Sequence, residues 1–426
     1  MNAIIILVII LLILHGMPLF AGLGWLSVAL FYMYEGPDAL IMTFLDPYGR
    51  LTQGELLLPL VLFTVTGYML AKSKFPDRLF NVFRTLLLRP FRGATFSVGI
   101  LAVVVSALFT PLSGASGITI VALGGILMPV LLASGYSRNL SLGIITSSGS
   151  LGLLFFPSIP VILYGIISQN TVSIKDLYLA GIMPGLLLIL LPSIYIFIVT
   201  RKISLPETKD EPEKPEWIKF IVEISIIPLV FMLFLKGKVT ISEISLLMFL
   251  FFFILETLIF REIKFKQFGS MLKESFSLLG GILAIIFFAM SFTSFLIDHQ
   301  VPQIFFEWIQ NYVQSKYTFL IMLNIFLLVV GALMDIFSAI IVVAPIVIPV
   351  AEMFGINMVH LGILFLTNLE IGYITPPVGI NLFLSSFRFK EPLPGIYKSV
   401  FPFLLILIGA QLIITYIPEL SLWLLP

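Results

Sequence analysis

Residues 331–349 read G-A-L-M-D-I-F-S-A-I-I-V-V-A-P-I-V-I-P, and residues 111–129 read P-L-S-G-A-S-G-I-T-I-V-A-L-G-G-I-L-M-P. Each is an apolar run broken near its start by small or helix-disfavouring residues and closed by a proline. Those prolines, Pro129 and Pro349, stand 220 positions apart. The same offset separates Gly135 from Gly355, Gly152 from Gly372 and Pro157 from Pro377. The chain therefore reads as two copies of one unit. Interruptions at matching places in two membrane halves are the best sequence pointer to a secondary transporter's binding site.

Composition sets the class. With 59% hydrophobic and 11% charged residues in 426, the chain carries more apolar surface than a soluble core of this length can hide. It is expected to be an all-α polytopic membrane protein. The balance of 24 basic against 23 acidic residues gives no argument for nucleic acid. The absence of cysteine removes disulfides, thiolate catalysis and cysteine metal sites together. His15, His299 and His360 form no spaced metal set, and His360 reads as a structural histidine at a helix end. No H-E-x-x-H set and no nucleophile with a base is present, so an intramembrane enzyme is disfavoured and no cofactor is expected. The 40 Phe and 15 Met are read as packing and lipid-facing material.

Apolar segments fall at 2–14, 19–33 and 56–71, followed by an amphipathic stretch at 76–90, a long segment at 94–132, and segments at 139–169 and 177–200. Shifted by 220, they fall on the runs at 218–235, 241–260, 278–297, 300–313, 317–351, 359–387 and 399–420. The first segment has no basic residue before it and no cleavage pattern after it, so it is read as a retained helix, not a signal peptide. Residues 201–216, with Pro206, Pro212 and Pro215 among many charges, read as a solvated cytoplasmic linker between repeats at 1–200 and 217–426.

Charge gives the orientation. Lys72, Lys74, Arg78, Arg84, Arg89 and Arg92 against Asp77 place the stretch after the third segment in the cytoplasm, while Glu35, Asp38, Asp46 and Glu55 against Arg50 place the preceding loop outside. With 94–132 and 317–351 as re-entrant hairpins, each half makes five crossings, so about ten helices span the membrane and the repeat is inverted. Arg201 and Lys202, Arg261 to Lys273, and Arg388 to Lys398 then all fall inside. The amphipathic stretches at 76–90 and 300–313 read as bracing arms in the interface or as short connecting helices.

Unwound backbone inside a bilayer survives only where it is buried in protein or lines a wet cavity. Four places invite it: 111–117, 147–160, 331–338 and 372–381. The first and third lie at the hairpin tips, and the second and fourth break apolar spans. Half-helix N-termini suit a carboxylate, and freed carbonyls suit sodium, so the arrangement fits co-transport of an organic anion with Na⁺.

The quoted run 331–349, N-L-E-I-G-Y-I-T-P-P-V-G-I-N-L-F at 368–383, S-G-A-S at 113–116 and F-P-S-I-P-V-I-L-Y-G at 156–165 resemble signatures of the large membrane subunit of the tripartite ATP-independent periplasmic (TRAP) transporters. Ala115 and Phe156 stand where that family often has a serine and a proline. The resemblance implies an elevator-type, sodium-coupled importer of the inner membrane that takes a carboxylate-bearing molecule from a periplasmic binding protein. It also implies a small four-helix membrane subunit, expected as a separate chain. A standalone sodium/dicarboxylate-type symporter of similar architecture is the alternative.

Asp335 is isolated in an apolar run, and a mid-membrane acid is functional by default. The candidate substrate residues are Asp335, Ser338, Ser113, Ser116 and Asn381. For sodium the second half offers Gly331, Asp335, Gly372, Thr375, Pro376 and Val378, where Thr375 and Asn381 sit beside freed carbonyls of Ile374, Pro376 and Val378. Its counterpart in the first half is Ser113, Ser116, Ser148, Gly149 and Gly152. Glu370 is read first as a structural partner to a helix end, with a direct functional role as the alternative. Only the second tip carries an acid, because Ala115 is the position that matches Asp335.

Overall fold

The computed structural model describes residues 8–9, 12, 17, 19–53, 57–88, 94–114, 116–168, 171–201, 215–301, 303–304, 307, 312–313 and 315–425. Most of the segment at 2–14, linker residues 202–214, much of the stretch at 300–313 and Ala115 lie outside them.

Every element among the described residues is helical. The first half runs α1 (Leu19–Tyr34), a 3-10 turn (Pro37–Ile41), α2 (Met42–Gln53), α3 (Leu57–Lys72), α4 (Phe75–Leu88), α5 (Phe96–Ser113), α6 (Ser116–Ala133), α7 (Arg138–Ser148), α8 (Ile159–Ile167) and α9 (Ile174–Thr200). The second half runs α10 (Trp217–Leu235), α11 (Ile241–Phe253), α12 (Phe265–Asp298), α13 (Lys316–Leu333), α14 (Ile336–Met353), α15 (Met358–Gly372), α16 (Ile380–Phe389), α17 (Leu393–Tyr416) and α18 (Glu419–Leu422). A wider-pitched π turn, Ile254–Ile259, extends α11. Nine of the described helical segments are long and apolar enough to cross a membrane.

The 220-residue offset reappears in the helix boundaries. Helices α5 and α6 shifted by 220 are α13 and α14, and the first residues of α7 and α15 are offset by the same amount. Gly135 and Gly355, at matching places after α6 and α14, have φ of 85° and 67°. That left-handed conformation favours glycine and lets each chain turn back at once.

Each long segment is therefore two helices with a two-residue break. At the first, Gly114 closes α5 with φ 75° and donates its N–H to the Thr110 carbonyl at 3.1 Å. At the second, Asp335 opens α14. Each arm has 18 residues, about 27 Å at 1.5 Å per residue, close to the hydrocarbon thickness.

The stretch 35–55, expected as an outer loop, holds the 3-10 turn and α2, which packs against α12. Its charges hide an amphipathic period, and Pro47 disguises the helix. Helix α12 begins at Phe265, so much of the basic run 261–273 is helical, not loop. It has 34 residues, about 51 Å. It packs against α1, α2, α3 and α14 and forms the spine of the side facing the tips.

The amphipathic helix α4 is anchored by one buried cation. The Arg78 Nε donates to Glu223 Oε2 at 2.9 Å, its guanidinium also binds Glu223 Oε1 and Glu262, and Glu256 lies 3.6 Å away. Arg78 is only 3% exposed, and Glu223 and Glu256 are fully buried.

Candidate functional site

Both tips open into one cavity of about 780 Å³. Gly114, Ser116, Gly117 and Ile118 line it from the first tip, and Asp335, Ile336 and Phe337 from the second. The opposite wall is made by Tyr68, Ala71 and Lys72 of α3 and by Ser277, Gly281 and Ile282 of α12. Leu153, Pro160, Tyr373, Ile380 and Leu384 complete it from the two interrupted spans. Gly67 of α3 seats the frame on the first tip, since a Cβ there would lie 2.6 Å from the Ser113 carbonyl oxygen.

Asp335 is the half-buried N-cap of α14. One carboxylate oxygen accepts the N–H groups of Phe337 and Ser338, both at 3.0 Å, and the other accepts the Ser338 hydroxyl. These bonds satisfy first-turn donors that the helix cannot satisfy itself. The Ile336 N–H donates to the Tyr373 hydroxyl at 2.6 Å, which ties the tip to the second break. A further tie is the Gly379 N–H on the Ala332 carbonyl at 2.9 Å. Tyr373 was missed in the sequence because its role depends on a fold contact, although it sits inside the quoted motif.

At the first tip, Ser116 donates to Asn381 Oδ1 at 2.9 Å, so residues from opposite halves meet. The Asn381 Nδ2 is buried and has no partner. Ser113 donates to the Thr110 carbonyl at 3.0 Å and lies 3.1 Å from Thr119 Oγ1. Thr110 donates in turn to the Ser106 carbonyl at 2.7 Å and the Gly149 carbonyl at 3.0 Å. The Ser148 hydroxyl, one residue before Gly149, is buried without a partner. Thr110 and Thr119 carried no sequence signal, since nothing in their spacing distinguishes them from packing threonines.

Several glycines serve close approach. A Cβ on Gly372 would lie 2.5 Å from the Gly331 backbone, so α15 and α13 touch through this pair. A Cβ on Gly152 would lie 1.9 Å from the Ala107 carbonyl. In the second break the Thr375 hydroxyl donates to the Ile371 carbonyl at 3.0 Å, while Pro376 and Val378 are exposed. The Asn381 N–H takes the Tyr373 carbonyl at 3.1 Å.

Glu370 differs from its reading as a helix-end partner. It is 1% exposed, and neither carboxylate oxygen has a hydrogen-bond partner. His360 does sit at a helix start, with Nδ1 3.2 Å from the Ser421 hydroxyl. Among the described residues no group of three or more His, Cys, Asp or Glu could hold a metal ion.

A helical, multi-pass protein with interrupted spans meeting at one interior cavity belongs to the class of membrane transporters. Its fold is shared by the YdaH transporter of Alcanivorax borkumensis, with a TM-score of 0.63 at 15% identity over 92% of this chain and 91% of that one. Residues 6–420 match the family model of the tripartite ATP-independent periplasmic transporter, DctM component. The C4-dicarboxylate TRAP transporter large permease protein DctM of Pseudomonas aeruginosa is 32% identical over 93% of this chain and 92% of its own length. Its counterpart from Rhodobacter capsulatus is 30% identical over 99% and 98%. The chain belongs to the DctM family. It is a TRAP transporter large permease subunit, a multi-pass protein of the inner membrane, and not an enzyme.

Proposed function

We propose that this subunit imports a small organic anion by sodium symport, receiving it from a periplasmic binding protein and working with a small four-helix membrane subunit on a separate chain. The observation that carries this reading is the cavity bounded by both tips, with Asp335 at one and the N-terminus of α6 at the other. Residues 1–200 and 217–426 act as inverted repeats, and the tips move as an elevator against the frame of α3 and α12.

Sodium has two sets of neutral oxygens to choose from, the hard ligands this ion prefers. Around the first tip these are Ser113, Ser116, Ser148 and the carbonyls at Gly149 and Gly152. Around the second they are Gly331, Gly372, Thr375 and the carbonyls of Pro376 and Val378, with Asp335 between substrate and ion. Substrate contacts fall to Asp335, Ser338, Ser113, Ser116 and Asn381. Two Na⁺ moving with a monoanion at 100 mV and tenfold sodium gradients supply about 5 kcal/mol, enough for accumulation of several thousand-fold.

The test is uptake into proteoliposomes under an imposed Na⁺ gradient, with and without the binding protein and the small subunit. Uptake is expected only with all components and sodium. Full uptake in choline would overturn the coupling, and full uptake without the binding protein would favour the standalone symporter.

A further inference from the structure

We propose that Lys72, on the frame side of the cavity, takes the anionic group of the substrate in exchange for its own partner, Glu274. The proposal rests on the cavity being the organic-anion site argued above. Among the described lining residues Lys72 is the one cation and Asp335 the one carboxylate. They stand on opposite walls, Lys72 at the end of α3 and Asp335 at the second tip. An organic anion approaching that tip meets the negative charge of Asp335, and in a confined cavity like charges repel more strongly than in bulk water. Lys72 is the residue that offsets this field. The position 220 residues on is Phe292, so the cation is no part of the doubled pattern.

The geometry of the pair allows the exchange. The Lys72 ammonium donates to Glu274 Oε1 at 2.6 Å, which uses one of its three donors. The two side chains are 38% and 50% exposed, and an exposed ion pair contributes little, so giving it up for another anion costs little. Lys72 lines the cavity, whereas Glu274 is not among the described residues that do. A compact ammonium on a flexible stem can therefore turn from one carboxylate to the other. Glu274 balances the cation whenever the substrate does not.

The same wall has further donors and room for a guest. Tyr68, one turn before Lys72 on α3, and Ser277, one turn after Glu274 on α12, line the cavity and carry hydroxyls that can donate to a carboxylate. Gly280 and Gly281 stand in mid-helix of α12, where glycine is disfavoured, and a Cβ on either would meet nothing within 4 Å. Packing therefore does not call for glycine here. Gly281 lines the cavity about 10 Å along α12 from Glu274, and its bare backbone leaves that stretch of wall open.

The native chain has no cysteine, so Gly281→Cys puts a single thiol on that wall for a protection assay on the purified full-length chain at low ionic strength. Sodium succinate, a small organic anion, is expected to slow labelling by uncharged N-ethylmaleimide, and its neutral analogue succinamide is not. The succinate concentration that gives half protection should rise at least about tenfold in Lys72→Gln and fall at least about threefold in Glu274→Gln. A mere tie between α3 and α12 would make the two variants act alike. Shifts of the same sign, or none, therefore overturn the exchange, and equal protection by succinate and succinamide, or none by succinate, overturns the anion site itself. If Lys72→Gln does not fold, Glu274→Gln decides alone, and unchanged or weaker protection in it overturns the exchange. The assay needs no sodium gradient and no partner protein, so its failure is distinct from a failure of sodium-driven uptake in proteoliposomes.

Discussion

Asp335 holds two first-turn N–H groups of α14 through one oxygen and the Ser338 hydroxyl through the other, so its removal has two separable effects. Asp335→Ala is expected to cost about 1 kcal/mol of stability through the lost cap, and Asp335→Asn much less. On the transport role proposed for Asp335, uptake should fall at least about tenfold in both, because each variant removes the carboxylate from the membrane interior. Comparing unfolding temperature with uptake for the pair separates the effects, and normal transport by Asp335→Asn would remove the carboxylate from the mechanism. The glycines divide similarly. Gly372→Ala pushes a methyl into the Gly331 backbone and should destabilise by about 1–3 kcal/mol. Gly409→Ala, in mid-helix with nothing within 4 Å of the new carbon, should be neutral or gain up to about 1 kcal/mol. Thermal unfolding of both variants checks the contrast. Asp335 was legible in the sequence because an acid in an apolar run is conspicuous by itself. Lys72 was legible only as a charge that sets orientation, since its place on the cavity wall depends on α3 packing beside the tips.

At the scale of the element, α4 shows how an amphipathic helix is tied to the frame. Its Arg78 collects Glu223 from α10 and Glu262 from the turn before α12, with Glu256 of the π turn alongside. Removing the cation leaves its buried partner Glu223 without a counter-charge, so Arg78→Met should cost about 3–5 kcal/mol, partly recovered by adding Glu223→Gln. A double-mutant cycle on thermal unfolding measures the recovery. Burial alone would raise the Glu262 carboxyl, but hydrogen bonds from Arg78 and from the Lys74 N–H hold it below the ordinary carboxylate range. Its stabilising contribution is therefore complete above that range and is lost as pH falls through the lowered value. Wild type should lose stability between pH 6 and acid more steeply than Glu262→Gln (about 4.5 being the usual carboxyl value), and equal slopes would remove Glu262 from the acid response. The helix itself was visible as an amphipathic stretch. Its anchor was not, because Arg78 and Glu223 are 145 positions apart and no local pattern joins them.

For the whole molecule, the orientation proposed from the basic residues after α3 has Lys72 on the cytoplasmic side, and the cavity it lines should then open inward in this conformation. The native chain has no cysteine, which makes single-cysteine labelling clean. A Ser277→Cys variant should react with a membrane-impermeant thiol reagent at least about tenfold faster in inside-out than in right-side-out vesicles. Equal rates from both sides would overturn the orientation. The sequence by itself determined the membrane class, the 220-residue offset between matching breaks and the positions of those breaks. Apolar periodicity, glycine and proline act on the backbone locally and can be read one segment at a time. It gave no sight of α2, whose polar face reads as a loop until α12 is there to receive the other. Only the tertiary structure decided which residues share the cavity, that Ser116 meets Asn381 across the two halves, and that Tyr373 supports the tip at Ile336. Those pairings join residues far apart in the chain, and their energies come from packing and hydrogen bonds that exist only once the halves have folded against each other.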